Sequence, residues 1–141
     1  MSPYSFREFT MKKILILLWL NFTILFVSCG PSTTINLTIT DYHYDPDTFT
    51  VPAAQEITVN IDNQGFVSHQ FIIFKLGTDA GGKIGPEDQD NIYWRFEVLP
   101  GHTDSATFVA PSEPGEYYVT CGILGHLEAG MSGSLIVIAD E

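Results

Sequence analysis

Apolar and polar residues alternate with a period of two along much of the chain after residue 34, a pattern typical of β-strands with one buried face. Residues 56–62 are the clearest case, because their isoleucine and valine side chains all fall on one side. Residues 69–76 form a dense apolar run, which predicts a strand buried on both faces. The remaining predicted strands are residues 35–40, 49–51, 104–109, 116–121 and 134–139. Seven or eight short strands without a long helical period predict an all-β protein built as a β-sandwich.

Residues 77–101 are the least strand-like part of the chain, since they hold several glycines, Pro86 and an acidic run over residues 87–90. Within them, residues 91–98 fit either a helical turn or a further strand, and we predict a long connection between the two sheets. Residues 77–83 also have the glycine and lysine spacing of a phosphate-binding loop. Ile84 stands where that loop needs serine or threonine, so a glycine-rich hairpin loop is the better interpretation.

The first 28 residues have the pattern of a secretory signal. Two lysines precede an apolar run over residues 14–27, which is short for a membrane span, and Met11 is the more natural start of translation. The run ends in Phe26-Val27-Ser28-Cys29-Gly30, which resembles a bacterial lipobox. In that interpretation Cys29 is lipidated and becomes the mature N-terminus. The alternative is ordinary cleavage nearby, with Cys29 left free.

We therefore expect a signal peptide over residues 1–28, a tether over residues 29–34 and one domain over residues 35–141. The protein would be exported and lipid-anchored to a bacterial membrane, facing the periplasm or the cell exterior. The length of 141 residues is consistent with a single domain. Two cysteines cannot form the framework of a disulfide-rich protein, and a lipidated Cys29 would leave Cys121 unpaired.

The charge is strongly acidic, with a net value of −11 for the whole chain. After residue 28 there remain three basic residues and sixteen acidic ones, which gives a net charge of −13. A nucleic-acid-binding protein needs basic residues to neutralise phosphates, so this class is disfavoured.

The chemistry is concentrated in residues 117–133, where Cys121, His126 and Met131 recur at intervals of five. They lie in one loop between two predicted strands, and glycines at 122, 125, 130 and 133 allow it to fold back. A thiolate, an imidazole and a thioether together favour copper, and His69, 52 residues before Cys121, supplies a fourth donor. Two histidines and a cysteine with a weak axial methionine form a blue-copper site.

Each of the four donors also has a structural interpretation. The cysteine could be a buried thiol, the first histidine a strand-edge residue, the second an ordinary loop residue and the methionine core filler. Their combination in one pattern favours metal binding. We predict that His43 and His102 are surface residues, although His43 in Tyr42-His43-Tyr44-Asp45 could bind a stray metal ion.

Over residues 35–139 the sequence resembles the cupredoxin family, the plastocyanin-, azurin- and auracyanin-like small blue copper proteins. The matching segments are Asn63-Gln64-Gly65 before His69, Pro100-Gly101 with Thr103, Ala110-Pro111, Pro114-Gly115-Glu116-Tyr117, Cys121-x4-His126-x4-Met131 and Gly133-Ser134-Leu135. The resemblance implies an eight-stranded Greek-key sandwich with one type 1 copper ion at one end, bound by His69, Cys121, His126 and Met131. Plastocyanins place the second histidine closer to the cysteine, so the subfamily and the partner stay open. Residues 77–99 have no obvious family template.

The resemblance further implies an electron-transfer protein whose copper alternates between Cu(II) and Cu(I). Gln70, which follows His69, is a candidate to contact the metal ligands without binding the metal itself. Electrons would pass through the exposed edge of His126. A docking patch around it would consist of Phe66, Val67, Ile123, Leu124 and Leu127. The acidic surface could steer a basic partner such as a c-type cytochrome, or could serve only solubility; a membrane oxidase or reductase is another possible partner.

Two other functions are compatible with the same donors. A copper-binding, scavenging or delivery lipoprotein would use them too, but only one methionine, Met131, follows the signal region, whereas copper carriers often have open methionine-rich tracts. An enzyme such as a reductase is disfavoured, because a filled mononuclear site leaves no open position for a substrate. We expect a monomer that is not an enzyme.

Overall fold

Nine strands and a short 3-10 helix make up the regular structure of the part of the chain that the computed structural model describes, residues 31–139. The strands are β1 Thr34–Thr40, β2 His43–Asp45, β3 Thr48–Pro52, β4 Glu56–Asn63, β5 His69–Phe74, β6 Ile92–Val98, β7 Thr103–Val109, β8 Gly115–Thr120 and β9 Ser132–Ile138. The 3-10 helix, Pro86–Asn91, directly precedes β6. The predicted all-β class is confirmed.

The strands form two sheets, one with the order β2-β1-β4-β7 and one with the order β3-β9-β8-β5-β6. β1 is parallel to β4 and β3 is parallel to β9, whereas the other neighbouring strands are antiparallel. The chain crosses between the sheets repeatedly, so strands that are close in sequence are often in different sheets. This arrangement is the β-sandwich expected from the alternating pattern.

The core lies between the sheets and is formed by the inward half of each alternating strand. In β4, Ile57, Val59 and Ile61 are fully buried, as the period of two predicts. They meet Phe71 and Ile73 of β5 in one continuous apolar cluster. Burying each such side chain contributes about 1.5–3 kcal/mol, so this core provides the main stabilisation of the sandwich.

The prediction that residues 77–101 form a long connection between the two sheets was wrong. Residues 92–98 form β6, which pairs antiparallel with β5 in the same sheet, with His69 opposite Val98. The crossing from this sheet to β7 in the other sheet takes only residues 99–102. In β6, Trp94 and Phe96 point partly inward while their neighbours are exposed, so the pattern does have a period of two. With β6 and the short β2, the described residues hold one strand more than the eight that the resemblance implied.

The prediction that β5 is buried on both faces is confirmed. Phe71 and Ile73 face the main core, whereas Ile72 and Phe74 face away from it. The outward pair forms a second buried cluster with Ala80, and Ile84 packs against that cluster. The glycine-rich segment after β5 therefore covers the outer face of the five-stranded sheet.

The predicted signal peptide over residues 1–28 and the lipidation site Cys29 lie outside the described residues, as does the first part of the tether. Between residues 31 and 139 there is no helix with the length and apolar character needed to cross a membrane.

Candidate metal centre

His69 is the first residue of β5 and is fully buried. The loop before it is fixed by Asn63, whose side-chain Nδ2 donates to the carbonyl oxygens of Val67 (3.0 Å) and Val98 (2.9 Å). Asn63 Oδ1 in turn accepts a hydrogen bond from the Gly65 amide at 3.0 Å. A single buried side chain thus ties the loop to β6 and sets the position from which His69 projects.

The second loop, residues 121–131, connects β8 to β9 and is closed at its base. The carbonyl of Met131 accepts hydrogen bonds from the Cys121 amide (3.4 Å) and the Thr120 hydroxyl (2.9 Å), and the Met131 amide donates to the His126 carbonyl at 3.0 Å. Gly125 and Gly130 have φ values of +88° and +95°, which side-chain-bearing residues rarely adopt. These turns bring the loop back on itself, as the glycine content predicted.

The two loops bring the donor atoms of His69, Cys121 and His126 within 4.8 Å of one another. The Cys121 sulfur lies 3.3 Å from His126 Nδ1, and the centroids of the two imidazole rings are 4.7 Å apart. His69 and Cys121 are 0% exposed and His126 is 5% exposed. The Met131 side chain is fully buried in the same core cluster as Cys121. The three nitrogen and sulfur donors predicted from the sequence therefore converge in a water-excluded position.

Two backbone amides donate hydrogen bonds to the Cys121 sulfur. Burial raises the pKa of the Cys121 thiol, and hydrogen bonds from the Gln70 and Ile123 amides oppose that rise. The Gln70 amide donates to the sulfur over 3.4 Å, whereas its side chain donates to Glu97 Oε2 at 2.9 Å. Gln70 therefore acts on the ligand through its backbone. These amides would also stabilise a metal-bound thiolate.

The ring nitrogens of the two histidines have different contacts, and His126 Nδ1 lies 3.3 Å from the Cys121 sulfur. Burial, and then the neighbouring His69, lower the pKa of His126, which favours the neutral ring that metal binding requires. His69 Nδ1 is buried and has no hydrogen-bond partner. A buried polar atom without a partner costs about 1–3 kcal/mol, which a metal bond to this nitrogen would remove.

The donor set fits one type 1 copper ion. Blue-copper sites combine a thiolate and two imidazoles with a weak axial thioether. Met131, whose backbone is hydrogen-bonded to those of Cys121 and His126, is the residue available for the axial role. No other group of three histidine, cysteine, aspartate or glutamate donors is this close in residues 31–139. His43 and His102 are exposed and lie outside the group, as predicted.

The predicted docking patch is only partly exposed. Phe66 is 91% exposed, Leu124 is 87% exposed and Val67 is also exposed. Ile123 and Leu127 are half-buried, because Ile123 packs against the main core and Leu127 against the outer cluster. Two side chains of the patch therefore serve mainly in packing.

The prediction of an exposed His126 edge was wrong. The ring of Tyr42 packs edge-on against His126, with centroids 5.1 Å apart, and the imidazole is almost completely buried. Tyr42 and its neighbour Asp41 were not among the predicted site residues, yet Asp41 Oδ1 lies 3.3 Å from His69 Nε2. Both residues lie in the turn between β1 and β2. No pattern around them in the sequence indicates contact with a distant histidine.

Comparison with known proteins gives a consistent result. The chain matches the cupredoxin-like domain family over residues 13–137. It is 30% identical over 93 residues to auracyanin-B of Chloroflexus aurantiacus, a match that covers 56% of this chain. The chain spans only 39% of the length of that relative.

Solved structures of auracyanins have the same fold. The structure of dithionite-reduced auracyanin from the photosynthetic bacterium Roseiflexus castenholzii matches with a TM-score of 0.66 and 34% identity, over 77% of this chain and 99% of that one. Auracyanin A, described as a "blue" copper protein from Chloroflexus aurantiacus, matches with a TM-score of 0.61 and 26% identity, over 77% of this chain and 100% of that one. The resemblance inferred from the motif residues is confirmed.

Proposed function

We propose that this chain, which belongs to the family of cupredoxin-like domains, is an electron-transfer protein that uses one type 1 copper ion at a bacterial cell envelope. The observation that carries the proposal is the buried convergence of His69, Cys121 and His126, with donor atoms within 4.8 Å and the His69 Nδ1 unpartnered. Copper bound there would supply a one-electron exchange between Cu(II) and Cu(I).

The protein's contribution is to hold the donors still. Asn63 fixes the first loop, and the hydrogen bonds to the Met131 carbonyl fix the second. His69 lies on β5, Cys121 directly follows β8, and His126 lies in a loop that is closed by backbone hydrogen bonds. Little rearrangement is therefore expected when the charge of the site changes. Small rearrangement favours fast electron exchange. Amide hydrogen bonds to the Cys121 sulfur and the apolar surroundings would tune the reduction potential.

Docking of a partner is supported by the exposed apolar side chains that flank the site. Phe66 belongs to the loop before His69 and Leu124 to the loop that contains His126, and the two imidazole rings lie 4.7 Å apart. Weak redox complexes use small interfaces, which allow rapid dissociation. Tyr42, half-exposed and in contact with His126, extends this surface.

The charge of the domain favours a basic partner. Only Lys75, Lys83 and Arg95 carry positive charge after residue 28, against sixteen acidic residues. A field of this sign accelerates encounters with a basic protein such as a c-type cytochrome, or with a basic face of a membrane oxidase or reductase. A lipid on Cys29 would keep the protein at the membrane where such partners work.

An absorption spectrum tests the metal site. The full-length protein, purified in detergent, is titrated with Cu(II). We expect an intense thiolate-to-copper band in the visible region. Cys121→Ser should abolish the band, whereas Met131→Leu should keep it and shift the reduction potential. A colourless complex of the wild-type protein with Cu(II) would contradict the proposed ligand set.

Copper delivery is the alternative function, and a second measurement separates it from electron transfer. The copper-loaded protein is reduced and reoxidised repeatedly in the presence of a chelator. An electron carrier keeps its copper through these cycles, which the burial of all three donors supports. Transfer of copper to the chelator during the first reduction would favour delivery.

Docking is tested with a matched pair of variants. Leu124→Asp adds a charge to the proposed docking surface, whereas Leu76→Asp adds the same charge after the far end of β5. With a basic c-type cytochrome as partner, we expect Leu124→Asp to slow electron exchange and Leu76→Asp to leave it nearly unchanged. Equal effects of the two variants would contradict this docking surface.

A further inference from the structure

We infer that Asp41 is a positioning residue of the metal centre, which holds the His69 ring by its Nε2 atom and leaves Nδ1 as the metal donor. The inference rests on the proposed copper function for its effect on the potential. Its geometric part, the orientation and proton position of the imidazole, concerns the protein without metal.

The contacts of Asp41 carry the assignment. Its Oδ1 accepts a hydrogen bond from the Phe66 amide at 3.0 Å and lies 3.3 Å from His69 Nε2. An ionised carboxylate only accepts hydrogen bonds, so the proton of the neutral imidazole belongs on Nε2. The lone pair is then on Nδ1, which is the ring nitrogen that is buried without a partner. Nε2 therefore holds the His69 ring through Asp41, and Nδ1 is left to bind the metal.

The space around this contact is limited by Gly65. A Cβ atom at position 65 would lie 2.6 Å from Asp41 Oδ1, 2.7 Å from His69 Nε2 and 3.1 Å from Asn63 Oδ1. All three distances are shorter than ordinary packing allows. The glycine therefore permits the carboxylate and the imidazole to approach each other, and a larger residue requires at least one of them to shift.

The Asp41 carboxylate would change the reduction potential of bound copper in one direction. A hydrogen bond from a ligand histidine to a carboxylate increases the donor strength of the ligand, and loss of such partners costs about 10–100-fold in metal affinity. The negative charge favours the more highly charged Cu(II) over Cu(I). Asp41 therefore lowers the reduction potential. Because it also binds the Phe66 amide, it fixes the loop that carries the exposed Phe66.

The proton position is tested in the metal-free protein. Full-length protein with ¹⁵N-labelled histidine is examined by long-range ¹H–¹⁵N NMR at a pH where the imidazoles are neutral. We expect His69 to carry its proton on Nε2 in the wild type and to lose this strict preference in Asp41→Ala. A His69 proton on Nδ1 in the wild type would overturn the assignment.

The electronic effect is tested by redox titration of Asp41→Asn against Asp45→Asn, which removes the same charge from an exposed residue of β2. We expect Asp41→Asn to reduce the ratio of Cu(II) to Cu(I) affinity about tenfold, which raises the potential by about 59 mV for a one-electron couple. Asp45→Asn should have a much smaller effect. Equal shifts in both variants would show that only distant charge matters and would overturn the positioning role.

Gly65→Ala provides an independent perturbation that leaves the carboxylate in place. It should raise the potential as Asp41→Asn does, and the two changes together should shift it by less than the sum of the single shifts. Additive shifts would mean that the two residues act separately. Circular dichroism checks that each variant folds. If the wild type took up no copper, the proposed function would fail, while the NMR measurement would still decide the role of Asp41.

Discussion

The ring of Tyr42 covers the imidazole of His126, with ring centroids 5.1 Å apart and the planes at 75°. Tyr42 itself is half-exposed, so the surface above the metal centre ends in a phenol rather than in a histidine edge. Edge-to-face aromatic pairs of this kind contribute about 0.5–1.5 kcal/mol beyond their buried area. The contact places a second aromatic ring between solvent and the donor set.

Removal of this cover should change how fast small reagents reach the site. We predict that Tyr42→Ala increases the rate at which the copper-loaded protein reacts with a small redox reagent such as hexacyanoferrate, because His126 becomes exposed. Tyr42→Phe keeps the ring and should react at the wild-type rate. Stopped-flow measurements at fixed ionic strength compare the three proteins. An unchanged rate in Tyr42→Ala would show that the ring does not limit access.

The backbone at Tyr42 gives a separate prediction about stability. Its φ value is +70°, a left-handed conformation that costs residues with a side chain about 1–2 kcal/mol. Tyr42→Gly and Tyr42→Ala both lose the ring, but only glycine relieves this strain. We expect Tyr42→Gly to have a free energy of unfolding about 1 kcal/mol higher than Tyr42→Ala, reduced somewhat by the greater freedom of glycine in the unfolded chain. Urea unfolding measures the difference, and a less stable glycine variant would contradict it.

Cys121 should be unreactive in the folded, metal-free protein. Burial raises its pKa and leaves the sulfur inaccessible, and only the exposed thiolate reacts rapidly with thiol reagents. We predict slow labelling in buffer and fast labelling in urea.

The same labelling assay tests for a lipid on Cys29, since the sequence contains two cysteines. In urea, one reactive thiol is expected if Cys29 carries a lipid, and two if it does not.

Tyr117 has a structural role that should be visible in both stability and pH dependence. Its hydroxyl donates to the Glu113 carbonyl at 2.6 Å, so Tyr117→Phe should destabilise the protein by about 1 kcal/mol at neutral pH. Burial, followed by the charges of Glu113 and Tyr93, raises the pKa of Tyr117 above its usual value near 10.0. Tyr93→Phe, which removes an exposed hydrogen bond to the Val109 carbonyl, is the control and should cost less.

The pH dependence follows from the direction of that shift. The folded state binds the phenol proton more tightly than the unfolded state, so this stabilisation is complete below a pH of about 10 and is lost as the pH rises further. The free energy of unfolding should therefore fall less steeply at alkaline pH in Tyr117→Phe than in the wild type. Identical slopes in the two proteins would contradict the raised pKa.

Gly133 should not tolerate any side chain. A Cβ atom there would lie 2.3 Å from the Asp47 carbonyl oxygen, which already accepts a hydrogen bond from the Ser134 amide at 2.8 Å. We expect Gly133→Ala to destabilise the protein by about 1–3 kcal/mol, as other overpacked positions do. Gly82→Ala, where a Cβ would meet nothing within 4 Å, should be close to neutral. Thermal unfolding of both variants checks the contrast.

Sequence patterns were most informative where the signal is local. The period of two placed β4 and the buried β5 within a residue or two of their observed limits. The period of two is also present in β6. It was not recognised from the sequence because the strand is rich in large aromatic residues and follows a glycine-rich segment. The spacing of Cys121, His126 and Met131 identified the second loop, because one turn-rich segment holds all three donors. These features depend on neighbours along the chain.

The all-β class, the chemical identity of the donors and the loop that holds most of them could be predicted from the amino-acid sequence, since alternation and donor type can be read residue by residue. Three contacts are visible only in the folded protein. Asp41 contacts His69, Tyr42 covers His126, and the Gln70 amide, rather than its side chain, reaches Cys121. Asp41 and His69 are 28 residues apart, and Gln70 and Cys121 are 51 apart. Contacts over such distances depend on strand register and on the packing of the two sheets, which no local pattern specifies.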